Sequence, residues 1–324
     1  MSQQLVVDKS LKLKGAANYS NNILGNFSEK KLVLYDDFVG IALDTGRWVS
    51  ANDNGGTEAI TVATNGTVTL TTGATDNDRS LLASPLNFLC AKNPIIECRL
   101  KVSAATTVGI NFGFNDATTE GDDVLAMELT AGAATLVNGK TSNGAMFVYD
   151  TDGSVDYWYA AGTKADTEGT PIVVPSKAII ENGTAYVSGQ PKTLTTGSNT
   201  VTVRTTGTVF VTLPAGCAGT ATDGTGTFTE SVATLVPGVN TLTCTAIGTV
   251  TIVVGPAPST TFEVLRVGLD TVGNATFWRN GLVAGFLPAC ITAATPLCLF
   301  LGVIARTTSA RVLTVDYIKA WQDR

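Results

Sequence analysis

The sequence predicts an all-β protein, and three observations lead to that prediction. Short stretches of alternating apolar and polar residues follow one another closely, with Gly, Asn and Asp between them. No segment of about 12 residues keeps the i, i+3, i+4, i+7 apolar spacing of an amphipathic helix without Gly or β-branched runs. The stretch 311–322 alternates like a strand, as does 31–38. We expect these two to pair in one sheet, so that the chain between them is one β domain with something inserted.

The alternating pattern predicts a series of strands in the first half of the chain. They are 32–38, 58–63, 67–71, 80–83, 95–103, 107–114, 124–130, 134–138, 145–149 and 155–160. Asn65-Gly66 predicts a hairpin turn, because Asn and Gly accept the positive φ of a type I′ turn. The same signal, Asn280-Gly281, predicts a hairpin within 272–286. Further strands are expected near 262–270 and 297–305, so the β pattern of the first half returns after residue 260.

The segment 166–259 differs in composition from the chain on either side of it. Aromatic residues nearly vanish there, while Thr, Gly and Val dominate. Within it, 197–211 resembles 238–252, and each copy reads as a Gly-x-Asn turn, a strand, a Gly turn and a second strand. Two such hairpins, stacked face to face, predict a small sandwich. We therefore expect one domain made of 32–165 and 260–324, with 166–259 inserted in a loop.

Residues 1–31 are expected to form an extended N-terminal arm. The arm carries more apolar residues than a solvated tail needs, which favours ordering against a partner. The residues that suggest this contact are Leu5, Val6, Leu11, Leu13, Ile23, Leu24 and Phe27.

Composition and charge exclude several classes of function. The chain has 324 residues, a formal net charge of −6 and no histidine. The acidic balance argues against a nucleic-acid groove, which needs clustered Lys and Arg. The absence of histidine removes the commonest general base and the commonest zinc ligand, and no cofactor is expected. No apolar run approaches the ~18 residues of a membrane span, so no membrane partner is predicted.

The cysteines are expected to be buried, reduced thiols. They stand at positions 90, 98, 217, 244, 290 and 298, and no two form a C-x-x-C pair. The first residues lack a secretory pattern, so synthesis and assembly in a reducing cytoplasm are expected. Local pairing of Cys90 with Cys98 and of Cys290 with Cys298 remains an alternative.

Two blocks of the sequence resemble the concanavalin A-like jelly-roll family. They contain Tyr-Asp-Asp-Phe at 35–38, Leu-Asp-Thr-Gly-Arg-Trp at 43–48 and Phe-Glu-Val-Leu-Arg-Val at 262–267. Ala-Thr-Phe-Trp-Arg-Asn-Gly at 275–281 and Val-Asp-Tyr-Ile-Lys-Ala-Trp-Gln at 315–322 complete the set. The family includes laminarinase-type glycoside hydrolases, laminin-G-like modules and virion proteins of tailed phages. The resemblance implies a jelly-roll β-sandwich, and it implies that the insertion is a smaller immunoglobulin-like sandwich.

The hydrolase branch of this family is not matched in full. Its members place Glu-x-Asp-x-x-Glu on one strand, so that the carboxylates project together into a sugar cleft. Here Glu120 and Asp122 have the right spacing, but Leu125 stands where the second Glu belongs and Glu128 comes three residues later. Gly121 with the acidic pair after it favours a turn. We predict no enzyme activity, and laminarinase-like hydrolysis is the lesser alternative.

Two short acidic stretches and one aromatic triplet are candidates for binding sites. Asp-Asn-Asp at 76–78 and Asp-Thr-Asp-Gly at 150–153 offer oxygens to Ca²⁺, but neither continues into a full binding loop, so no metal site is predicted. Trp158 between Tyr157 and Tyr159 is a candidate glycan contact. Alternation places Trp158 opposite its neighbours, which also predicts that at least one side of the triplet is core.

These features together predict a structural role. The resemblance implies an accessory capsid (decoration) protein that binds and stabilises a phage head shell, with its arm or jelly roll on the shell and the insertion projecting outward. The expected partners are the major capsid protein and further copies of the chain, in a homo-oligomer that we expect to be a trimer, on the capsid surface of the virion. The alternative is a carbohydrate-binding tail fibre or baseplate module that attaches to host surface glycans.

Overall fold

The computed structural model describes most of the chain, with gaps concentrated at the start and in the middle. The described residues are 30–61, 66–153, 156–174, 178–180, 191–194, 196–203, 209–212, 217–220, 227–228, 232–235, 238–244, 248–251, 254–256 and 258–323. Residues 1–29 of the expected arm lie outside this range, including its apolar positions from Leu5 to Phe27. Residues 30 and 31 already belong to the first strand.

The described residues form β-strands and one short 3-10 turn, Cys90–Lys92. In chain order the strands are β1 (Lys30–Asp36), β2 (Val49–Asn52), β3 (Thr57–Thr61), β4 (Thr67–Thr71), β5 (Arg79–Ala83), β6 (Ile95–Val102), β7 (Val108–Asn115), β8 (Asn143–Asp150), β9 (Tyr159–Lys164), β10 (Thr167–Glu168), β11 (Ile172–Val173), β12 (Ala178–Ile180), β13 (Pro191–Leu194), β14 (Gly197–Val203), β15 (Val209–Thr212), β16 (Cys217–Thr220), β17 (Thr227–Phe228), β18 (Val232–Leu235), β19 (Gly238–Cys244), β20 (Gly248–Thr251), β21 (Val254–Pro256), β22 (Glu263–Leu269), β23 (Ala275–Arg279), β24 (Leu282–Leu287), β25 (Cys298–Ala305) and β26 (Val312–Asp323). In the part of the chain that is described, no helix has both the length and the apolar character needed to cross a bilayer.

Two antiparallel sheets form the main sandwich. Sheet A has the strand order β24-β23-β22-β6-β26-β4-β3, and β1 also pairs with β26. Sheet B has the order β10-β9-β8-β7-β25-β5-β2, and β11 also pairs with β9. β1 and β26 pair from Lys30 opposite Asp323 to Asp36 opposite Ile318, so the predicted meeting of the two ends is confirmed. The predicted all-β jelly-roll sandwich is therefore confirmed.

The core lies between the two sheets, and strict alternation along the strands fills it. In β7, Ile110, Phe112 and Phe114 point into this core, while Asn111 and Asn115 point to the opposite face of sheet B. From sheet A, Phe277 meets Phe147 edge-to-face with ring centroids 5.2 Å apart. Burial of each such ring contributes roughly 1.5–3 kcal/mol, so this layer is a main source of stability.

The Asn280-Gly281 hairpin is also confirmed. Both residues have positive φ, 50° and 79°, and they join β23 to β24. β3 and β4 pair as predicted, although residues 62–65 of their turn lie outside the described range. Residues 167–173 pair with β9 as β10 and β11, so they belong to sheet B although the predicted insertion began at 166.

The strands from β12 to β21 pair with one another and not with sheets A or B. β14 and β19, the first strands of the two similar copies, pair directly, from Gly197 opposite Cys244 to Val203 opposite Gly238. β15 and β20, the second strands, lie in two other sheets. The prediction that each copy is a closed hairpin was wrong for these described strands. The similarity of the copies instead reflects two strands of one sheet that lie side by side.

Two predicted strands are missing. The chain at 124–130 and 134–138 forms no regular strand and makes only an isolated bridge between Leu129 and Leu136. The whole of 116–142 is an irregular segment between β7 and β8 that we call the covering segment. The short strand β2 was not predicted, because Val-Ser-Ala-Asn lacks a clear apolar alternation.

Candidate functional site

The covering segment lies on the outer face of sheet B. Apolar side chains of the segment pack onto apolar side chains of β5, β8, β9 and β25 and make a second buried cluster. The segment contributes Leu125, Ala126, Met127, Leu129 and Leu136, and the facing residues include Leu81, Met146, Val148, Tyr159, Phe300 and Ile304. This face of sheet B is thus part of the interior.

Glycines on sheet B allow the covering segment to approach closely. A Cβ on Gly302 would lie 2.7 Å from Cδ2 of Leu81 and 2.8 Å from Cδ2 of Leu125. A Cβ on Gly144 would lie 2.8 Å from Cε of Met127. Real Cβ atoms do not pack at such distances, so a side chain at either position would force the ends of the Leu81, Leu125 or Met127 side chains to move.

Asn111 holds the middle of the covering segment through both ends of its amide. Its Nδ2 donates to the carbonyl of Met127 at 2.9 Å, and its Oδ1 accepts from the N–H of Met127 at 2.8 Å. Asn111 is fully buried, and the other residues on this side of β7 are Gly109, Gly113 and Asn115. A buried amide needs such partners, because an unpaired one costs about 1–3 kcal/mol. The Asn111 side chain therefore pairs with the N–H and the carbonyl of Met127 as a neighbouring strand would.

Arg306 organises one end of the covering segment. Its guanidinium donates to both carboxylate oxygens of Asp150, at 3.0 and 2.8 Å, and lies 3.2 Å from Oε1 of Glu128. Asp150 also accepts from the N–H of Leu129 at 3.0 Å, and Lys140 reaches Oε2 of Glu128 at 3.3 Å. Burial alone would lower the pKa of Arg306, but the surrounding carboxylates raise it, so the guanidinium stays charged.

Arg79 holds the other end. It pairs with Asp53 and donates to the carbonyls of Val124 and Glu120, at 3.0 and 3.2 Å. Asp53 in turn accepts from the N–H of Asp123 at 2.8 Å. Burial opposes ionisation of Asp53, but these hydrogen bonds and the Arg79 charge hold its pKa below the usual value. Two ion pairs and one amide thus bind the backbone of the covering segment between Glu120 and Leu129.

The carboxylates considered for hydrolysis do not share a strand. Glu120 and Asp122 lie in the irregular segment, where Asp122 is 92% exposed and the backbone turns at Asp123 with φ of 60°. Glu128 is buried and occupied by Arg306, Lys140 and the N–H of Leu125. This agrees with the prediction of a turn and with the absence of the Glu-x-Asp-x-x-Glu pattern.

Glu120 is nevertheless electrostatically unusual. Burial raises the pKa of Glu120 to about 7, and the nearby charge of Asp116 adds to this rise. A 2.6 Å hydrogen bond from Nδ2 of Asn115 acts in the opposite direction. Nδ2 of Asn115 also donates to the carbonyl of Ala117 at 2.8 Å, and its Oδ1 accepts from Thr141 at 2.5 Å. Glu120 is thus part of the anchoring of the covering segment at the end of β7.

The acidic stretches weighed for Ca²⁺ are used within the fold. Both carboxylate oxygens of Asp150 bind the guanidinium of Arg306, which takes the place that a Ca²⁺ ion would have. Asp78 is buried and its Oδ2 accepts from the N–H of Thr75 at 2.7 Å, closing its own turn. Among the described residues, no three His, Cys, Asp or Glu side chains are grouped so as to hold a metal ion.

The candidate glycan contact at Trp158, Tyr157 and Tyr159 was wrong as a surface site. All three side chains are buried. Trp158 lies in the core between the sheets, and its Nε1 donates to Oε1 of Glu263 at 3.3 Å. Tyr157 and Tyr159 point the other way and lie in the cluster under the covering segment. Because both faces of sheet B are covered here, no ring of the triplet is available to stack on a sugar.

The described cysteine side chains are free thiols. Cys90, Cys98, Cys290 and Cys298 form no disulfide, so the local pairs considered as an alternative are absent. Burial raises the pKa of Cys90 to about 11 and that of Cys298 to about 12, which leaves both protonated and unreactive near neutral pH. Sγ of Cys298 lies 3.1 Å from the carbonyl of Ala117, another contact to the covering segment. The side chains of Cys217 and Cys244 lie outside the described residues.

A shallow cleft of about 580 Å³ lies between the β9–β10 turn and residues 287–290. Lys164, Glu168 and Cys290 supply its chemically reactive groups. Glu168 already accepts from the N–H of Gly139 at 2.8 Å. Burial raises the pKa of Cys290 to about 12, so its thiol is not activated. The cleft offers no pair of facing carboxylates for sugar hydrolysis.

Charged and aromatic side chains that the sequence analysis did not single out lie on the outer face of sheet A. β6, β22 and β26 place charged and aromatic side chains there, among them Arg99, Lys101, Arg266, Tyr317 and Lys319. The signal was present in the sequence: Glu97, Arg99 and Lys101 alternate with buried apolar residues, and so do Tyr317, Lys319 and Trp321.

No protein-family model matches the chain, and no curated protein matches it in sequence. Among solved structures, the chain is similar to the carbohydrate recognition domain of Emp47p, with 9% identity and a TM-score of 0.44 over 92% of this chain and 98% of that one. It is also similar to the κ-carrageenase of Pseudoalteromonas carrageenovora (11% identity, TM-score 0.41, 91% and 96% covered). The laminarinase of Flavobacterium sp. UMI-01 gives 9% identity and a TM-score of 0.40, with 91% and 100% covered. Similarity at this level carries no argument about function, and the fold rests on the sheet topology itself.

Proposed function

We propose that the protein is a non-enzymatic structural protein of a tailed-phage virion, an accessory capsid protein that binds and stabilises the head shell. The observation that carries the non-enzymatic part is the covering segment. It fills the outer face of sheet B and is held there by Asn111, Arg79 and Arg306. An enzyme of the laminarinase type needs an open trench with carboxylates about 5–5.5 Å apart, and this face is occupied by the chain itself.

The virion part of the proposal rests on the resemblance of the two sequence blocks and on the composition of the chain. Low charge and a segment rich in Thr, Gly and Val suit a protein whose surface is covered by neighbours. A protein that binds many equivalent sites on an assembled shell, and not the free subunits, stabilises the shell by mass action. The major capsid protein and further copies of this chain, as a trimer on the capsid surface, are the partners that this role requires.

Attachment to host glycans through a tail fibre or baseplate remains the second candidate. Its original site, the Trp158 triplet, is buried, so this function needs a different surface. Hydrolysis of a β-glucan is the weaker candidate, because Glu120, Asp122 and Glu128 are placed in a segment that packs onto the sheet.

The test is binding of purified protein to expanded phage heads that lack it, followed by co-sedimentation and by electron microscopy with a label on the middle segment. We expect saturable binding at symmetry-related shell sites and a higher temperature of shell disruption. A Leu11→Ser/Leu13→Ser variant is expected to bind less, whereas Lys12→Gln between them serves as the matched control. Protein that stays in the supernatant, or a label found only on tails, would refute the decoration role.

A further inference from the structure

Two cysteines lie directly opposite one another in the middle segment of the chain. β16 and β19 pair antiparallel, and their register places Cys217 opposite Cys244. The chain between them includes β17 and β18, so the two cysteines are not neighbours in the sequence. Residues opposite one another in an antiparallel pair share one face of the sheet. The backbone thus brings two thiol-bearing residues to one point on one face of a sheet.

The spacing of paired strands suits a disulfide bond. Opposite residues of antiparallel strands have Cα atoms about 4.5 or 5.5 Å apart, depending on whether the pair exchanges backbone hydrogen bonds. A disulfide joins residues whose Cα atoms lie about 4.4–6.8 Å apart. Both kinds of antiparallel pair fall within this range. A bond between Cys217 and Cys244 therefore requires neither separation nor sliding of β16 and β19.

The register of the described strands pairs no other two cysteines. Cys98 lies opposite Leu265 on one side and opposite Ile318 on the other. Cys298 lies opposite Asn115. The four cysteines of the main sandwich are free thiols. The strand pairing therefore singles out one cysteine pair in the middle segment.

We propose that Cys217 and Cys244 are a redox-active pair, which a small disulfide such as oxidised glutathione converts to a cross-strand disulfide bond. The thiolate of one cysteine attacks the oxidant, forms a mixed disulfide with one half of it and releases the other half as glutathione. The second cysteine then attacks the sulfur of the first and releases a second glutathione. One S–S bond breaks and one forms. The two electrons and the two thiol protons of the protein pass to the two glutathione molecules.

The bond fastens one end of a five-stranded sheet. That sheet has the order β12-β14-β19-β16-β17, so β17 reaches its other strands through β16. The ladder between β16 and β19 has four residue pairs, 217–220 opposite 241–244, and the cysteines form its first pair. A crosslink at this position therefore holds both β16 and β17 to β19. The pair stays reduced in a reducing compartment and closes when the protein meets an oxidant, whether or not the protein is part of a virion.

The test is oxidation of the folded full-length protein with oxidised glutathione, followed by blocking of free thiols and cleavage with a glutamyl endopeptidase without reductant. Glu230 lies between the two cysteines, so cleavage after it leaves peptides that only a disulfide holds together. Mass spectrometry is expected to find these linked peptides, and thiol titration in denaturant should fall from six thiols per chain to four. Cys217→Ala should abolish the linked peptides. Cys290→Ala, the control in the main sandwich, should leave them unchanged.

A second comparison tests the strand register itself. Cys217→Ala/Ala218→Cys moves one thiol by a single residue, to the position opposite Thr243 and on the other face of the sheet. The link should form about tenfold or more slowly in this variant, because the high effective concentration of two opposed thiols is lost. Thermal unfolding shows whether the variant is folded. If it is not, the parent protein in urea supplies the comparison, since the unfolded chain keeps both cysteines but loses the register.

Three results would overturn the proposal. The first is a folded protein that keeps all six thiols, and the second is one that forms mixed disulfides with glutathione alone. The third is a link that forms as fast in the shifted variant or in urea as in the folded parent. Linked peptides that form fastest in the folded parent support it.

Discussion

At the scale of single residues, polar side chains decide the character of the outer face of sheet B. Three buried side chains bind the covering segment: Asn111 and Arg79 donate hydrogen bonds to its backbone, and Arg306 pairs with its Glu128 carboxylate. Such contacts are costly to break one at a time, because the remaining partner stays buried and unpaired. Each of these residues therefore supports a closed face, and a change at any one is expected to reduce stability.

Asn111→Ala is expected to lower the free energy of unfolding by about 2 kcal/mol. The substitution removes two hydrogen bonds and leaves the N–H and carbonyl of Met127 buried without partners. Urea denaturation followed by tryptophan fluorescence measures the change. Asn87→Ala, at an exposed position, is the control and should change stability by less than ~0.5 kcal/mol. Equal effects of the two substitutions would show that the amide of Asn111 does not hold the segment.

Glu120 is expected to make stability depend on pH. Because its folded pKa is about 7 against the usual 4.5, the unfolded chain loses this proton first as pH rises. The residue therefore favours folding fully below about pH 4.5, and this contribution is lost between there and pH 7. Glu120→Gln keeps the acceptor for Asn115, and it should be more stable than the parent by about 2 kcal/mol at pH 8 but equal at pH 4.

Denaturant titrations at pH 4 and pH 8 measure this difference. Asp122→Asn is the matched control, since that side chain is 92% exposed and should behave alike at both pH values. A Glu120→Gln variant whose advantage does not grow with pH would mean that the Glu120 carboxyl ionises freely in the folded chain.

At the scale of elements, the covering segment shows why a sequence pattern can mislead. Leu125, Met127 and Leu129 alternate as they would in a strand, and they do share one buried side. Their N–H groups, however, donate to the side chains of Glu128, Asn111 and Asp150, not to a neighbouring strand. Alternation reports burial on one side, and it does not reveal where the backbone hydrogen bonds go. The polar residues Asn111 in β7 and Asp150 in β8 are the sequence signal that these N–H groups bond to side chains.

Gly302→Ala is expected to destabilise the protein by about 1–3 kcal/mol through overpacking. The added methyl would meet Cδ2 of Leu81 and of Leu125 at 2.7 and 2.8 Å, so these two buried side chains must move. Gly121→Ala is the matched control, since its nearest neighbour atom is 3.8 Å away. Thermal unfolding and binding of a hydrophobic dye compare the two variants. A Gly302→Ala protein as stable as Gly121→Ala would contradict tight packing of the segment.

At the scale of the whole molecule, the sequence predicted which distant strands share a sheet, but it did not predict which faces of that sheet are buried. Pairing of β1 with β26 followed from two matching alternating stretches, and the return of aromatic strands after residue 260 placed both parts in one sandwich. The burial of Trp158 on one side and of Tyr157 and Tyr159 on the other did not follow from alternation alone. Strands covered on both faces read as near-continuous apolar runs and not as alternating ones, and β8 and β25 of sheet B are of this kind.

The predicted insertion can be tested by removal. Strands β12 to β21 pair among themselves, so we propose that replacing 175–257 with a short Gly-Ser linker leaves the main sandwich folded. The shortened protein is expected to keep its β-sheet circular dichroism and a cooperative unfolding transition. As a control, the full-length protein with the order of residues 197–203 scrambled should likewise keep its β-sheet circular dichroism and the cooperative unfolding of the main sandwich. Loss of cooperative unfolding in the shortened protein would show that the middle segment is part of the main fold.

The position of β26 has a consequence for how the polypeptide matures. Residues 312–323 fill the gap between β6 on one side and β4 with β1 on the other. A ribosome has therefore released more than three hundred residues before sheet A can close. Until then β4 and β6 expose unpaired edges, which are templates for wrong partners. Nascent chains that stall before this strand should therefore be clients of chaperones.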